Sequence, residues 1–390
     1  MLTPDSISKK ALSLHRKYRG KISIANKIPN LKRKDMQLIY TPGVAAVSKE
    51  IFRHPAQKYL LTSKANNVAI ITDGTRLLGL GNVGPYAAMP VMEGKSLLYK
   101  KFGGVDAYPI CLNTTEKENI ISTVLAIEPA FGAINLEDIE FPKVIEISEE
   151  LEKKMSIPIF HDDRHGTSVV VLAALYNSLR LVKKRLDSIK IIVVGAGSAG
   201  YGIAKLLRFA GCKNIVVVDS AGAIYRGRRE MTKYKKELAR ITNPARQKGT
   251  LCEVLGGADV FIGVSGIKNL LDPKIIGTMN DDPIIFALTN PDPEISPKIA
   301  KKAGARIVAT GSYQYQNSVN NALVFPYLMR AILDHRIRKI DLGLLLAASK
   351  AIAKTVSDAK ISRNHIIPEI GDRRLQKNIT SALAKFKRST

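Results

Sequence analysis

The chain has 390 residues, an apolar fraction of 45% and a formal net charge of +26; this is the composition of a folded globular protein of two or three domains, and it excludes an intrinsically disordered one. The longest apolar stretches, around residues 169–175 and 342–348, fall well short of the roughly 18 residues that span a bilayer, so no membrane helix is expected. Three widely spaced cysteines, Cys111, Cys212 and Cys252, form no CxxC pair, which argues against a zinc ribbon or a disulfide framework and for a reducing cytoplasm. The charge has two readings: an electrostatic footprint for nucleic acid, or a solvated surface that attracts small anions. Lysines and arginines are spread along the whole length, apart from short runs such as Lys183-Lys184-Arg185 and the C-terminal KFKR, and no RRM, zinc-finger or KH signature accompanies them. Specific nucleic-acid binding is not expected.

In chain order, the start MLTPDSISKKALSLHRKYRG lacks the apolar region of a secretory signal and reads as a polar lead into an amphipathic helix. A strand is expected at 67–72, followed by several glycine turns and a helix ending near Met155. The run IPIF then reads as a buried strand, and VVVLAALYNSL as a buried helix. From residue 190 onward, β-branched runs alternate with helical ones, the pattern of βαβ units on a parallel sheet. Strands are expected at 190–194, 214–219, 260–264, 284–287 and 306–309, with a helix at 198–210 broken by Gly211. After about residue 320 the apolar residues recur at spacings of three and four, which predicts helices. The fold class is α/β, with a doubly wound Rossmann-type dinucleotide domain, an N-terminal α/β domain and a helical C-terminal segment.

The pattern GxGxxG occurs twice, as GLGNVG at residues 79–84 and GAGSAG at residues 195–200. Alone it is weak evidence, so context decides. Gly195, Ala196, Gly197, Ser198, Ala199 and Gly200 follow a clean strand and open a helix, and Asp219 ends the next strand about 20 residues further on. Small residues let the backbone approach a pyrophosphate, the helix N-terminus supplies free N–H donors, and Asp219 accepts from the adenosine ribose. The first copy has Asp106 at a similar offset, but Pro85 and Pro90 are expected to interrupt the helix that should follow. An acid at 219 favours NAD, while Arg226, Arg228 and Arg229 lie near enough in sequence to keep NADP open.

A second constellation is acidic. FHDDRHGTS places Asp162 and Asp163, two histidines and an arginine between a buried strand and a buried helix, and NLEDIEF adds Glu137 and Asp138. Gathered carboxylates repel unless a cation or protons neutralise them. Mg²⁺ or Mn²⁺ prefers such oxygen ligands and leaves positions open for substrate. Taken singly, the same residues read equally well as a helix cap at Asp163 and a solvated turn at Glu137 and Asp138.

The motifs YTPGVA at 40–45, TDGTRLLGLGNVGPYAAMPVMEGKSLLYKKFGGVDAYPICLNT at 72–114, NLEDI, FHDDRHGTS, GAGSAG, FALTNPDPEI and VNNALVFPY resemble, in this order, those of the short-chain malic enzymes. That family oxidises L-malate with NAD(P), decarboxylates the oxaloacetate formed and releases pyruvate. The resemblance implies an N-terminal substrate and metal domain over 1–160 and an NAD(P)-binding domain over 161–390, with 331–390 a helical tail packing on the first domain. It makes Tyr40 the general acid, Lys95 the general base, and Glu137, Asp138 and Asp163 the ligands of Mg²⁺ or Mn²⁺. Asp162 would hold Lys95, and Arg76, Asn290 and Asn321 would contact malate. Ser265 and Asn290 join the cofactor contacts. A homodimer is expected, and His161 and His165 are expected outside the metal's ligand set.

The proposed base must lose its proton, and a lysine in a crowded, desolvated, cationic site has its pKa lowered toward neutrality. Each residue also has a plain rival reading: Tyr40 as a turn aromatic, Lys95 as an exposed loop lysine, Arg76 paired with Asp73, Asn290 capping a turn, and Asn321 capping the next helix. The segment TGSYQYQNSVNN at 310–321 departs from the family's TGRSDYPNQVNN: Ser312, Gln314 and Gln316 stand where arginine, acid and proline are usual. Loss of the loop's stiffness and ion pair is expected there. Two other functions stay open, a malolactic-type enzyme that returns the hydride to give lactate, and a basic regulatory or nucleic-acid-binding protein on a retired scaffold.

Overall fold

The computed structural model describes residues 4–77 and 80–387. Gly79 of the first glycine fingerprint and Arg388 of the C-terminal basic run lie outside them. Two mostly parallel sheets carry the chain. The first contains β1 (Asn67–Thr72), β2 (Asp106–Cys111), β3 (Ala133–Leu136) and β4 (Ile159–His161), in the order β2-β1-β3-β4. Every residue of β1 and β3 is buried, because crossover helices cover both faces of a parallel sheet, and so the strands show apolar runs without alternation. The second sheet holds β5 (Lys190–Val194), β6 (Asn214–Asp219), β7 (Gly222–Ala223), β8 (Val260–Gly263), β9 (Ile284–Ala287) and β10 (Ile307–Thr310), in the order β10-β9-β8-β5-β6-β7. Only β7 runs antiparallel. From β5 the chain moves to β6 on one side and later to β8 on the other, which makes the crevice beyond β5 a topological switch point.

The expected strands at 67–72, 190–194, 214–219 and 284–287 form at those residues, and the expected helix 198–210 is Ser198–Phe209. The helix expected to fail after the first glycine fingerprint does form, as Gly84–Gly103. Pro85 sits in its first turn, where an N–H has no helical acceptor in any case. Pro90 lies inside and forgoes one internal bond, but the buried face of Ala88, Met92, Lys95, Ser96 and Tyr99 holds the helix on its neighbours.

The helix Asp162–Val182 leaves β4 and is buried on nearly all sides, which is why its sequence shows no amphipathic stripe. It packs on Ser198–Phe209 and on Leu342–Thr355. One continuous apolar core therefore joins residues of both sheets, such as Ile70, Ile134, Val171, Ile191 and Ile215. A smaller core lies on the other face of the second sheet, around Val216, Phe261 and Ile285. The helix Phe325–Asp334 returns to pack on Gly84–Gly103, and Arg373–Leu383 packs on it in turn. No helix among the described residues is long and apolar enough to cross a membrane.

The N-terminal segment is built differently. The expected amphipathic helix forms over Pro4–Tyr18, yet no residue from 6 to 63 is buried. Ile24, Leu38, Tyr40, Phe52 and Leu60 present their side chains to solvent.

Candidate active site

The loops at the carboxyl ends of both sheets converge on one cavity of 980 Å³, the place where parallel α/β sheets gather ligands. Arg76 follows β1, Glu137 and Asp138 follow β3, and Asp163 follows β4. Ala199, Val264, Asn290 and Gly311 arrive from the ends of β5, β8, β9 and β10. Lys95 enters from the helix Gly84–Gly103, and Asn321 and Phe325 from the segment that opens Phe325–Asp334.

Lys95 is the centre of the arrangement and is buried, so it is no exposed loop lysine. Its Nζ lies 2.5 Å from Asp162 Oδ2 and 2.5 Å from Glu137 Oε1, and 4.4 Å from the centre of the Phe325 ring. Asn321 donates from Nδ2 to the same Asp162 oxygen at 2.5 Å. The helix-capping side chain is its neighbour Asn320, which accepts from the Ala322 N–H. Tyr99 donates to Asn135 Oδ1 at 2.6 Å, and Asn135 donates to Glu137 Oε2 at 2.9 Å. Tyr99, Asn135 and Phe325 thus position the cluster without having stood out in the sequence. The visible signal was Asn135 itself, an amide in an otherwise apolar strand and two residues from Glu137, hence on the same face.

The expectation of a lowered lysine pKa is overturned. Burial alone would lower it, but Asp162 and Glu137 outweigh burial and hold the ammonium above its ordinary value. The surroundings of Lys95 are anionic, and the charged form is the favoured one.

The carboxyl groups show the opposite imbalance. Burial, only partly offset by Lys95, raises Glu137 well above its ordinary value. Burial and then the neighbouring Asp163 push Asp138 up to about 7, and burial raises Asp162. Asp162 Oδ1 is buried and has no hydrogen-bond partner. A Cβ on Gly166 would overlap that carboxylate, so residue 166 must be glycine for Asp162 to sit there. Among the described residues no three His, Cys, Asp or Glu side chains stand close enough to hold a metal ion, and Glu137 Oε1 lies on Lys95 Nζ at 2.5 Å. Carboxylate oxygens of this kind are the ligands that hard divalent cations prefer.

His161 and His165 are buried behind this cluster, outside the cavity lining. The His161 N–H lies 3.2 Å from His165 Nδ1 and Arg164 Nε lies 2.9 Å from His165 Nε2, and the neutral ring accepts at one of the two. Burial, then the Arg164 charge, lowers both imidazoles well below their usual range. Arg164 pairs with Glu152 at 3.1 Å. Of the charged residues in FHDDRHGTS, Asp162 is met by Lys95 and Asn321 and Arg164 by Glu152, the histidines stay neutral, and Asp163 lines the cavity.

Residues 195–200 turn from β5 into Ser198–Phe209 at the switch point. Gly195 has φ 111°, and a Cβ there would come within 2.6 Å of the Val264 carbonyl. A Cβ on Gly200 would overlap the Gly195 carbonyl. Beside Gly197 the nearest group is the Arg76 guanidinium, 3.6 Å from a Cβ position. Ala196 is buried, Ala199 lines the cavity, and Ser198 Oγ is buried with no partner. The first fingerprint lacks this crowding, since a Cβ on Gly81 or Gly84 would meet nothing within 4 Å. Its acid, Asp106, begins β2 opposite Asn67, at the amino end of the sheet, and pairs with Lys100 at 2.6 Å.

Ser265 N–H and Oγ both bond to Glu294 Oε1 at 3.1 Å. Glu294 is fully buried and also accepts from the Thr289 hydroxyl at 2.6 Å, tying the ends of β8 and β9 together beside Asn290. Asp73 pairs with Lys143 at 2.8 Å, so it does not hold Arg76. In the divergent loop, Ser312 Oγ accepts from the Gln314 N–H at 3.2 Å, Asn320 Nδ2 donates to the Gly311 carbonyl at 2.8 Å, and Asn317 Nδ2 donates to the carbonyls of Val308 and Arg363 at 3.0 and 2.7 Å. These amide bonds fasten the loop where an ion pair is usual. Tyr40 is not brought to the cavity: it is 70% exposed and stands on the segment without buried residues.

Residues 18–152 match the family model "Malic enzyme, N-terminal domain", and residues 165–387 match "Malic enzyme, NAD binding domain". The NAD-dependent malic enzyme of Geobacillus stearothermophilus is 48% identical over 366 residues, covering 94% of this chain and 76% of that protein. The bifunctional malic/malolactic enzyme of Bacillus subtilis is 46% identical over 381 residues, covering 97% and 93%. The crystal structure of the NAD-dependent malic enzyme of Thermotoga maritima superposes with a TM-score of 0.92 at 46% identity, covering 96% of this chain and 98% of that one. With one cavity joining a carboxylate-ringed lysine to a dinucleotide loop, and matches that span nearly the whole chain, this protein belongs to the malic enzyme family.

Proposed function

We propose that the protein oxidises L-malate to pyruvate and CO₂ with reduction of NAD(P), in a reaction that depends on a divalent metal. The observation that carries this reading is Lys95, buried between Asp162 and Glu137 in the cavity that also receives the 195–200 loop. Arg76, Asn290 and Asn321 would bind malate, Arg76 from beside the dinucleotide loop and Asn321 while steadying Asp162. The C2 hydride leaves for the nicotinamide, held next to Asn290 and Ser265, as the C2 hydroxyl proton passes to Lys95. Lys95 accepts that proton only after Glu137 turns from it, because both carboxylates together keep Nζ charged. Asp162 stays to orient the amine. Glu137, Asp138 and Asp163 would hold Mg²⁺ or Mn²⁺, whose contribution when bound is Lewis-acid stabilisation of the enolate left by decarboxylation.

Tyr40 would protonate that enolate at C3, and we assign its place to the site of a second copy of the chain. The support is the arm that carries it: no residue from 6 to 63 is fully buried in its own chain, and the arm exposes a series of large apolar side chains, the usual mark of a surface made for a partner. A homodimer would give each site the other chain's Tyr40. We take residues 1–160 as the substrate and metal domain and 161–390 as the cofactor domain with its helical tail, and three free thiols suit a reducing cytoplasm.

The test is absorbance at 340 nm with L-malate and Mn²⁺, with NAD and NADP compared, EDTA as control and pyruvate measured in parallel. Metal-dependent reduced cofactor formed one to one with pyruvate is the expected result. The Bacillus subtilis relative, named for both activities, is the ground for a second reading, and lactate without free reduced cofactor would select it. Absence of both products would leave the retired scaffold.

A further inference from the structure

We propose that the adenosine end of the dinucleotide site takes a 2′-phosphorylated ribose as readily as a free one, with Arg228 and Lys235 exchanging Asp219 for the phosphate. This rests on residues 195–200 being the dinucleotide loop. An acid at the end of the following strand ordinarily selects NAD in two ways: it accepts hydrogen bonds from the ribose hydroxyls and it repels a 2′-phosphate. Asp219 holds that position at the end of β6, and its surroundings cancel both effects.

The acceptor capacity of Asp219 is already filled. Oδ1 accepts from the Ala221 N–H at 2.9 Å and from Arg228 Nη1 at 2.9 Å. Oδ2 accepts from Arg228 Nη2 at 2.5 Å and lies 2.6 Å from Lys235 Nζ. An ionised carboxylate offers about four lone-pair sites, so a ribose hydroxyl gains Asp219 only by displacing one of these donors. The repulsion is gone as well, because two cations around one carboxylate leave a net positive charge. Asp219 and Arg228 are 7% and 11% exposed in their side chains, so water screens this charge weakly. The pairing holds Asp219 down at about 2, ionised at every working pH.

The Arg228 guanidinium is fixed for this task by bonds to the carbonyls of Gly222 and Ala223 at 3.0 and 3.2 Å. Lys235 reaches in from the helix Lys233–Ile241 and keeps a quarter of its side chain in solvent. A planar fork on a fixed turn beside a lysine ammonium is a phosphate-binding pair. With NAD the pair stays on Asp219 and the ribose gains little from the acid. With NADP the phosphate takes the freed donors.

The experiment titrates the full-length protein with NADH and with NADPH, without malate or metal, and reads the dissociation constants by reduced-nicotinamide fluorescence and calorimetry. NADPH is expected to bind within about tenfold of NADH, the span of one charge-assisted hydrogen bond. Arg228→Ala should weaken NADPH by about tenfold or more and leave NADH nearly unchanged, Lys235→Ala should act in the same direction, and Asp219→Asn should tighten NADPH. Lys235→Ala keeps the test decisive if the Arg228 variant folds poorly. An NADPH dissociation constant more than tenfold above that of NADH overturns the inference, as does an unchanged NADPH affinity in Lys235→Ala. Loss of binding for both nucleotides in the unmodified protein would instead remove the dinucleotide reading on which it rests.

Discussion

Two parts of the molecule carry the proposed acid and base, and they are built on opposite terms. Lys95 is buried, bridged by two carboxylates and backed by an aromatic ring, and every group that fixes it belongs to its own chain. Tyr40 ends a four-residue helical turn, Met36–Ile39, with no buried residue around it. With these roles the base would be preorganised by folding, while the acid would need a surface that its own chain does not supply. A site divided this way would be complete only in the assembled protein, so that a monomer would bind cofactor without finishing the reaction.

The sharpest way to break the contrast is at Lys95. Removing one partner of a buried ion pair costs about 3–5 kcal/mol because it strands the other charge, so Lys95→Ala would confound activity with folding. Lys95→Arg keeps a cation between Asp162 and Glu137 and removes the base. Turnover with malate should fall by about 10²- to 10⁴-fold, while NADH affinity stays unchanged. Equal losses in both would mean that the residue supports the fold and not the proton transfer.

Mixing separates acid from base. Tyr40→Phe and Lys95→Arg should each be inactive alone, and a dimer with one chain of each kind keeps one site with both native residues if Tyr40 acts across the interface. Random exchange makes half the dimers mixed, so about a quarter of full activity should return. A tyrosine acting within its own chain would return none. A milder test changes the arm's apolar surface: Phe52→Ser with Leu38→Ser should shift sedimentation toward monomer and lower malate turnover without changing cofactor binding.

Much of this was readable before any coordinates. The second sheet was legible because buried parallel strands are β-branched runs between glycine turns, and β5, β6 and β9 lie at the expected residues. In the first sheet β2 was hidden by Pro109 and Asp106, which an edge strand tolerates, and β3 by its four-residue length. The carboxylates stood out by adjacency. What could not be read was contact between distant segments: Tyr99 reaches Asn135, Asn321 reaches Asp162, and Glu294 joins two strand ends. The charge state of Lys95 is hidden in the sequence for the same reason, since only the fold shows that both its neighbours are anions.

The smallest expected effect is on stability, and it sharpens the same contrast between buried and exposed charge. Asp138 has its carboxyl raised from 3.8 to about 7, so between those values the folded protein holds a proton that the unfolded chain has released. Stability rises with pH only where the unfolded state binds more protons; here the folded state does, so this contribution is full below about 4 and is lost as pH rises through about 7. In EDTA the melting temperature should therefore fall by a few degrees from pH 5 to pH 8, and Asp138→Asn should flatten that slope. Added Mn²⁺ should restore more at pH 8 than at pH 5, because it replaces the proton that the cluster has lost. The arm holds no group whose shift falls between pH 5 and pH 8, since its one desolvated charge, Lys21, is a lysine, so a variant lacking its apolar contacts should melt with the same pH dependence. His161 and His165, buried neutral, contribute in the opposite, rising direction, so the deciding comparison is with Asp138→Asn: an unchanged slope in that variant would show that the cluster is an ion-pair network with no demand for a cation.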